Sequence, residues 1–156
     1  MGLDMYLKAD VYVPQHKYIN DEFVPNEEFV AIVNALNLSH YGTDLFGSGI
    51  GVDVPMGYWR KANAIHNWFV QNVQDGEDNC GTYFVGRDHL EDLAKTCQEV
   101  LADPSKAEEL LPTGEGFFFG STDYDEYYIE TLNDTVDIVS RCLASPYDYF
   151  EYSSSW

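Results

Sequence analysis

Apolar and polar positions partly alternate over residues 3–13, a stretch rich in Tyr, Val and Leu, which predicts a first strand stopped by Pro14. After Pro25 the period changes. Phe29, Val30, Val33 and Leu36 recur at helical spacing, with Asn26 placed to cap the helix and Glu27 and Glu28 in the first turn, where the helix dipole favours acids. Residues 37–51 carry four glycines and little periodicity, so a mobile surface loop is expected there. The following segment, 50–59, reads as extended, and Pro55 within it points to an edge strand or a bulge.

From Tyr58 onward a helical stripe of Ala62, Ile65, Phe69 and Val73 is expected, ended by Asp75-Gly76. A strand over 80–85 comes next. Gly86 then leads into a helix that presents Leu90, Leu93, Ala94, Cys97, Val100 and Leu101 on one face until Asp103-Pro104 breaks it. Residues 105–111 fit a short helical turn, and the Gly-bounded run 116–120 fits a buried strand. A third long helix is predicted over 125–143, with Tyr128, Leu132, Val136, Val139 and Leu143 facing inward. Thr122 or Asp123 would be its cap, and Glu126 sits at capping-box distance from Asp123. A last strand over 147–152 follows Pro146. Strands and helices interleave irregularly, so the expected fold class is α+β: one domain over 1–156, with a small antiparallel sheet packed against about three helices. A doubly wound parallel sheet is the lesser alternative.

Composition narrows the function classes. Aromatic residues make up 15% of the chain, which argues against disorder. With 27 acids against 8 bases the formal net charge is -19, which disfavours direct nucleic-acid binding and docking on an anionic membrane. A basic partner, a surface that imitates DNA, and plain solubility are all compatible with that charge. The three cysteines, Cys80, Cys97 and Cys142, form no C-x-x-C pair, so neither a disulfide framework nor a zinc knuckle is expected and a reducing cytoplasm fits. The first residues lack the basic and apolar regions of a signal peptide, and Tyr6 stands where a myristoylation motif wants Ser or Thr. No apolar run approaches the roughly 20 residues of a membrane span.

The segment 58–68 is chemically the most suggestive. It holds two of the three tryptophans and two of the eight basic residues. On a continuous helix, Trp59, Asn63 and His66 would share a ridge able to stack a base and bond its edge, while Arg60 and Lys61 would meet phosphate. The competing structural reading makes Trp59 and His66 core residues and leaves the two cations solvated. The run 114–121 lacks the G-x-x-x-x-G-K-[ST] of a phosphate loop and reads better as strand plus turn. Residues 121–128 begin like a calcium loop, but Tyr128 occupies the required glycine position, so helix capping explains them better. The histidines at 16, 40, 66 and 89 show no metal-ligand spacing, and no cofactor or metal is expected. Cys97 and Cys142 fall on apolar stripes and read as inert, whereas Cys80 reads as the accessible thiol and a Cys80–His66 pair is left open. Trp156 either folds back onto the core or frays.

Four segments together resemble a family of small uncharacterised proteins encoded by bacteriophages and bacteria. They are Met1-Gly2-Leu3-Asp4-Met5-Tyr6-Leu7, Tyr58-Trp59-Arg60-Lys61-Ala62-Asn63-Ala64-Ile65-His66, Gly116-Phe117-Phe118-Phe119-Gly120-Ser121 and Ser153-Ser154-Ser155-Trp156. The resemblance brings no activity and no catalytic residues. It implies an accessory protein in the cytoplasm of a bacterial host cell, including the context of counter-defence. The leading expectation is therefore a non-enzymatic protein that binds a nucleotide-like small molecule through Trp59, Arg60, Lys61, Asn63 and His66, for instance a sponge for an immune signal, for which a homo-oligomer is a common state. The alternative is an acidic protein-interaction module or DNA mimic that inhibits a host protein. A nucleotide hydrolase ranks third, since no base, nucleophile and orienting group can be named together.

Overall fold

The first alternating segment becomes β1 (Asp4–Pro14) in the computed structural model, which describes residues 2–116 and 118–156, Thr43 by its backbone alone. The fold is α+β, as expected, with a four-stranded antiparallel sheet, a two-stranded sheet and five α-helices among the described residues. The chain divides into two compact units, Met1–Ala9 with Val54–Trp156, and Asp10–Asp53.

In the larger unit β1 is joined by β4 (Gly49–Arg60), β5 (Thr82–Val85) and β6 (Phe150–Ser155), in the order β4-β1-β6-β5. The strand nearest the chain's end thus occupies an interior position. Its register sets Leu7 opposite Tyr152 and Ala9 opposite Phe150, and Tyr83 and Val85 continue those two rows on β5. The period of two sends Met5, Leu7, Ala9, Phe150, Tyr152 and Val85 to a buried face. The opposite face carries exposed Tyr6, Tyr58 and Phe84 beside a Lys8–Glu151 ion pair of 3.0 Å. Pro55 lies in β4, an edge strand, in line with the expected edge position or bulge.

The helices of this unit are α2 (Asn63–Asn72), α3 (Arg87–Ala102), α4 (Ala107–Leu110) and α5 (Glu126–Ala144). The two long ones, α3 and α5, pack together. From α3 the predicted Leu90, Leu93, Cys97 and Val100 are buried. From α5 the buried stripe is Tyr128, Leu132, Thr135, Ile138, Val139 and Cys142, rotated slightly from the expected one, with Thr135 and Ile138 inward instead of Val136. The cap is Asp125, whose carboxylate accepts from the Tyr128 N–H at 3.0 Å, and not Thr122 or Asp123. Asp123 is engaged locally, accepting from the Ser121 hydroxyl at 3.1 Å. At the other end, the Arg87 guanidinium donates to the carbonyl of Leu143, one of those that the helix terminus leaves without a partner, and to that of Tyr147 beyond the helix.

Two expectations fail here. Residues 58–60 are strand, not helix: Lys61 adopts the left-handed region (φ 56°) and breaks the chain direction before α2 starts at Asn63. The run 116–120 forms no strand among its described residues. Phe118 is left-handed (φ 72°) and exposed, Phe119 is buried, and the Phe119 N–H closes a turn onto the Gly116 carbonyl at 3.2 Å; Phe117 lies outside the described residues.

In the smaller unit, β2 (His16–Ile19) and β3 (Glu22–Pro25) form an antiparallel hairpin. Its two turn residues, Asn20 and Asp21, both have positive φ (51° and 62°), the signature of a type I′ turn. Helix α1 (Glu27–Ala35) starts at the predicted cap: Asn26 accepts from the Glu28 N–H at 3.1 Å and donates to the Pro14 carbonyl at 2.8 Å. Phe29 and Val33 are buried against Val13, whereas Val30 and Leu36 are exposed. The segment expected as an irregular loop holds two 3-10 turns, Ser39–Tyr41 and Thr43–Phe46, and the start of β4.

Candidate functional site

The five residues singled out from the sequence separate into two groups where β4 meets α2. Trp59, the last inward-facing residue of β4, is 4% exposed; its indole N–H donates to the Thr135 hydroxyl at 3.0 Å and its ring meets Phe69 edge-on. Asn63 opens α2 and is equally buried. Its amide donates to the carbonyls of Phe119 and Ser121 and accepts from the Gly114 N–H, so one side chain pins the 114–121 loop at three points. Arg60 and Lys61, between them, are exposed and form no ion pair among the described residues.

His66 lies one turn further along α2, 2% exposed. Nδ1 is 2.7 Å from the Tyr152 hydroxyl and Nε2 is 3.0 Å from Asp78 Oδ1, which also accepts from the Trp156 indole at 3.2 Å. The tautomer that satisfies every group has Nε2–H donating to Asp78 and Nδ1 accepting from Tyr152. Burial lowers the His66 pKa below its ordinary value, and the Asp78 carboxylate opposes that shift. A carboxylate, an imidazole and a hydroxyl in series have the form of a catalytic relay. Tyr152, however, is fully buried and stacked on Phe69 at 3.9 Å, and burial pushes its hydroxyl pKa upward. No substrate atom reaches it. The relay is a structural lock joining α2, the loop after it, β6 and Trp156. Both nitrogens of His66 are taken, so no Cys80–His66 pair forms. Burial raises the pKa of Cys97 to about 12 and that of Cys142 to about 11, in keeping with inert thiols, while Cys80 is exposed.

A concave surface of the larger unit lies where α5 runs beside β4 in the opposite direction. Three contacts fix its course. The Tyr127 hydroxyl donates to the Arg60 carbonyl at 2.6 Å, Thr135 accepts from Trp59, and Ile138 approaches Gly57 so closely that a Cβ there would lie 2.5 Å from it. Only glycine permits that approach. Beside it opens a groove of about 620 Å3 lined by Tyr58, Asp134, Asp137, Ile138, Ser140 and Arg141. A smaller hollow of about 100 Å3 shares Tyr58 and Asp134 with it and extends to Glu130, Tyr127 and Arg60. Tyr58 itself is exposed, and its hydroxyl donates to Asp4, a bond that raises the phenol's pKa.

Sequence reasoning passed over this groove and the partners Thr135, Asp78 and Tyr152. A signal for the groove existed: Glu126, Glu130, Asp134 and Asp137 recur at the three- and four-residue spacing of one helix face. Among the described residues no group of three or more His, Cys, Asp or Glu side chains is placed to hold a metal, and no helix is long and apolar enough to cross a membrane. No protein-family model, curated protein or solved structure matches the chain.

Proposed function

We propose that this chain is a non-enzymatic interaction module that engages a basic partner through the acidic flank of α5. The observation that carries the reading is the placement of charge. Glu126, Glu130, Asp134 and Asp137 are exposed along one side of a single helix, and among the described residues none has a cationic side chain within ion-pair distance. Like charges at this spacing cost an isolated helix about 0.2–0.5 kcal/mol per pair, a penalty that a cationic partner would reverse. Successive carboxylates rise by roughly 4.5–6 Å along the axis, a linear array of negative charge like that of a nucleic-acid strand. In its sharpest form the module competes with DNA for a DNA-binding host protein.

The test is displacement of a labelled duplex from a lysine-rich histone-like protein. The chain should release the duplex at low salt and progressively less as salt screens the contact, and a Glu130→Lys, Asp134→Lys, Asp137→Lys variant should release none. Absence of displacement, together with no salt-dependent binding to poly-lysine, would remove the reading.

A nucleotide-like small molecule is the second reading, favoured by the exposed Arg60 and Lys61, which form no ion pair among the described residues and lie beside Tyr127. It stands second because Trp59, Asn63 and His66, the side chains suited to stacking and edge contacts, are buried and bonded within the protein. A thermal shift with a nucleotide panel that disappears in an Arg60→Ala, Lys61→Ala variant would restore it to first place.

A further inference from the structure

We propose that the groove between β4 and α5 takes an extended basic segment of the partner as an added β-strand, paired with the backbone of β4 at Tyr58. This deepens the interaction-module reading and rests on it. The Lys61 N–H bonds the Leu3 carbonyl, on the β1 side, whereas the Arg60 carbonyl faces the Tyr127 hydroxyl on the opposite side. Backbone groups in a strand alternate sides, so the N–H and C=O of Tyr58 face the same way as the Arg60 carbonyl. That side borders the groove, because β4 is the edge of its sheet and Tyr58 lines the hollow. An unpaired edge is a template for strand addition, and the main chain supplies the affinity while alternate side chains supply the specificity.

The two banks define the sequence the strand would need. Its side chains alternate between the α5 side and the exposed face. On the first they meet Glu130, Asp134 and Asp137, so every second residue is Lys or Arg. On the second they meet Tyr58, which packs on Tyr6 at 5.5 Å, so the residues between are apolar or aromatic. The same-side repeat of a strand, roughly 6.6 Å, is close to the roughly 6 Å rise between i and i+4 carboxylates on the helix. Tyr127, already bonded to Arg60, closes one end of the groove, and Arg141 at the other end repels a cation.

The experiment uses fluorescence anisotropy with the labelled peptide Lys-Val-Lys-Val-Lys-Val-Lys and two versions of it, one N-methylated on the valine amides and one on the lysine amides. In an added strand only one of these sets points its N–H groups at β4. We expect one methylated peptide to bind at least tenfold more weakly than the parent and the other to bind like the parent, with Asp134→Asn, Asp137→Asn weakening all three. Equal binding of both methylated peptides would overturn strand addition while leaving an acidic, charge-driven contact in place. No binding of any of the three, with poly-lysine still bound in a salt-dependent way, would also overturn it. Loss of poly-lysine binding as well would remove the underlying module reading.

Discussion

The hydroxyl of Tyr152 lies 2.7 Å from Nδ1 of His66, linking the interior strand β6 to helix α2 across the core. Both residues are essentially closed to water. Tyr152→Phe keeps the ring stacked on Phe69 but leaves the imidazole nitrogen without a donor, at a cost of about 1–3 kcal/mol. At this chain length each kcal/mol moves the unfolding midpoint by roughly 2–4 °C, so calorimetry should find a clear fall without loss of far-ultraviolet dichroism.

The same histidine gives a pH signature. Its folded pKa is below the unfolded value of 6.5, so the unfolded chain binds the proton more readily. The contribution is fully present above pH 6.5 and is lost as the pH falls below 6.5 toward the folded pKa. The stability difference between the wild-type chain and His66→Gln should therefore shrink from pH 7.5 to pH 5. The difference is the quantity to follow, because protonation of the many carboxylates changes both proteins together.

Trp59 and the two residues that follow it should respond differently to substitution. Trp59→Phe removes the indole donor to Thr135 and part of a buried ring, and should destabilise the fold by more than about 1 kcal/mol. Arg60→Ala and Lys61→Ala, both on exposed side chains, should stay within about 0.5 kcal/mol of wild type. Urea unfolding of the three variants separates core from surface in a segment that reads as continuous in sequence.

The thiols provide a check on packing. A maleimide should label Cys80 alone in the native protein, and mass spectrometry should find one adduct; labelling in denaturant should add Cys97 and Cys142.

Periodicity made the long elements legible, because α3 and α5 each bury one stripe and β1 alternates against a core. It failed where a single backbone choice decides the path. Nothing about a lysine announces the left-handed turn at Lys61 that converts a supposed helix of residues 58–73 into strand, turn and helix, and with it the ridge of Trp59, Asn63 and His66 becomes an internal network. The hairpin β2–β3 was invisible for a different reason. Tyr18 and Phe23, opposite each other, are both 70% exposed, so no inside–outside alternation marks the strands, and the Asn20-Asp21 turn was the one local clue. The run 116–120 misled because its apolar residues do not share an environment: Phe119 goes inward and Phe118 outward.

The position of β6 also bears on how the chain reaches this state. Asp4 pairs with Ser155, so the first strand finds its β6 neighbour only after residues 150–155 have been made. Until then β1 presents an open edge, and closing so long a loop carries an entropic barrier that neighbouring hairpins avoid. Folding should accordingly be slow for a domain of this size, and a chain cut before residue 150 should accumulate as a partly helical, aggregation-prone species, because its sheet lacks the interior strand that joins β1 to β5.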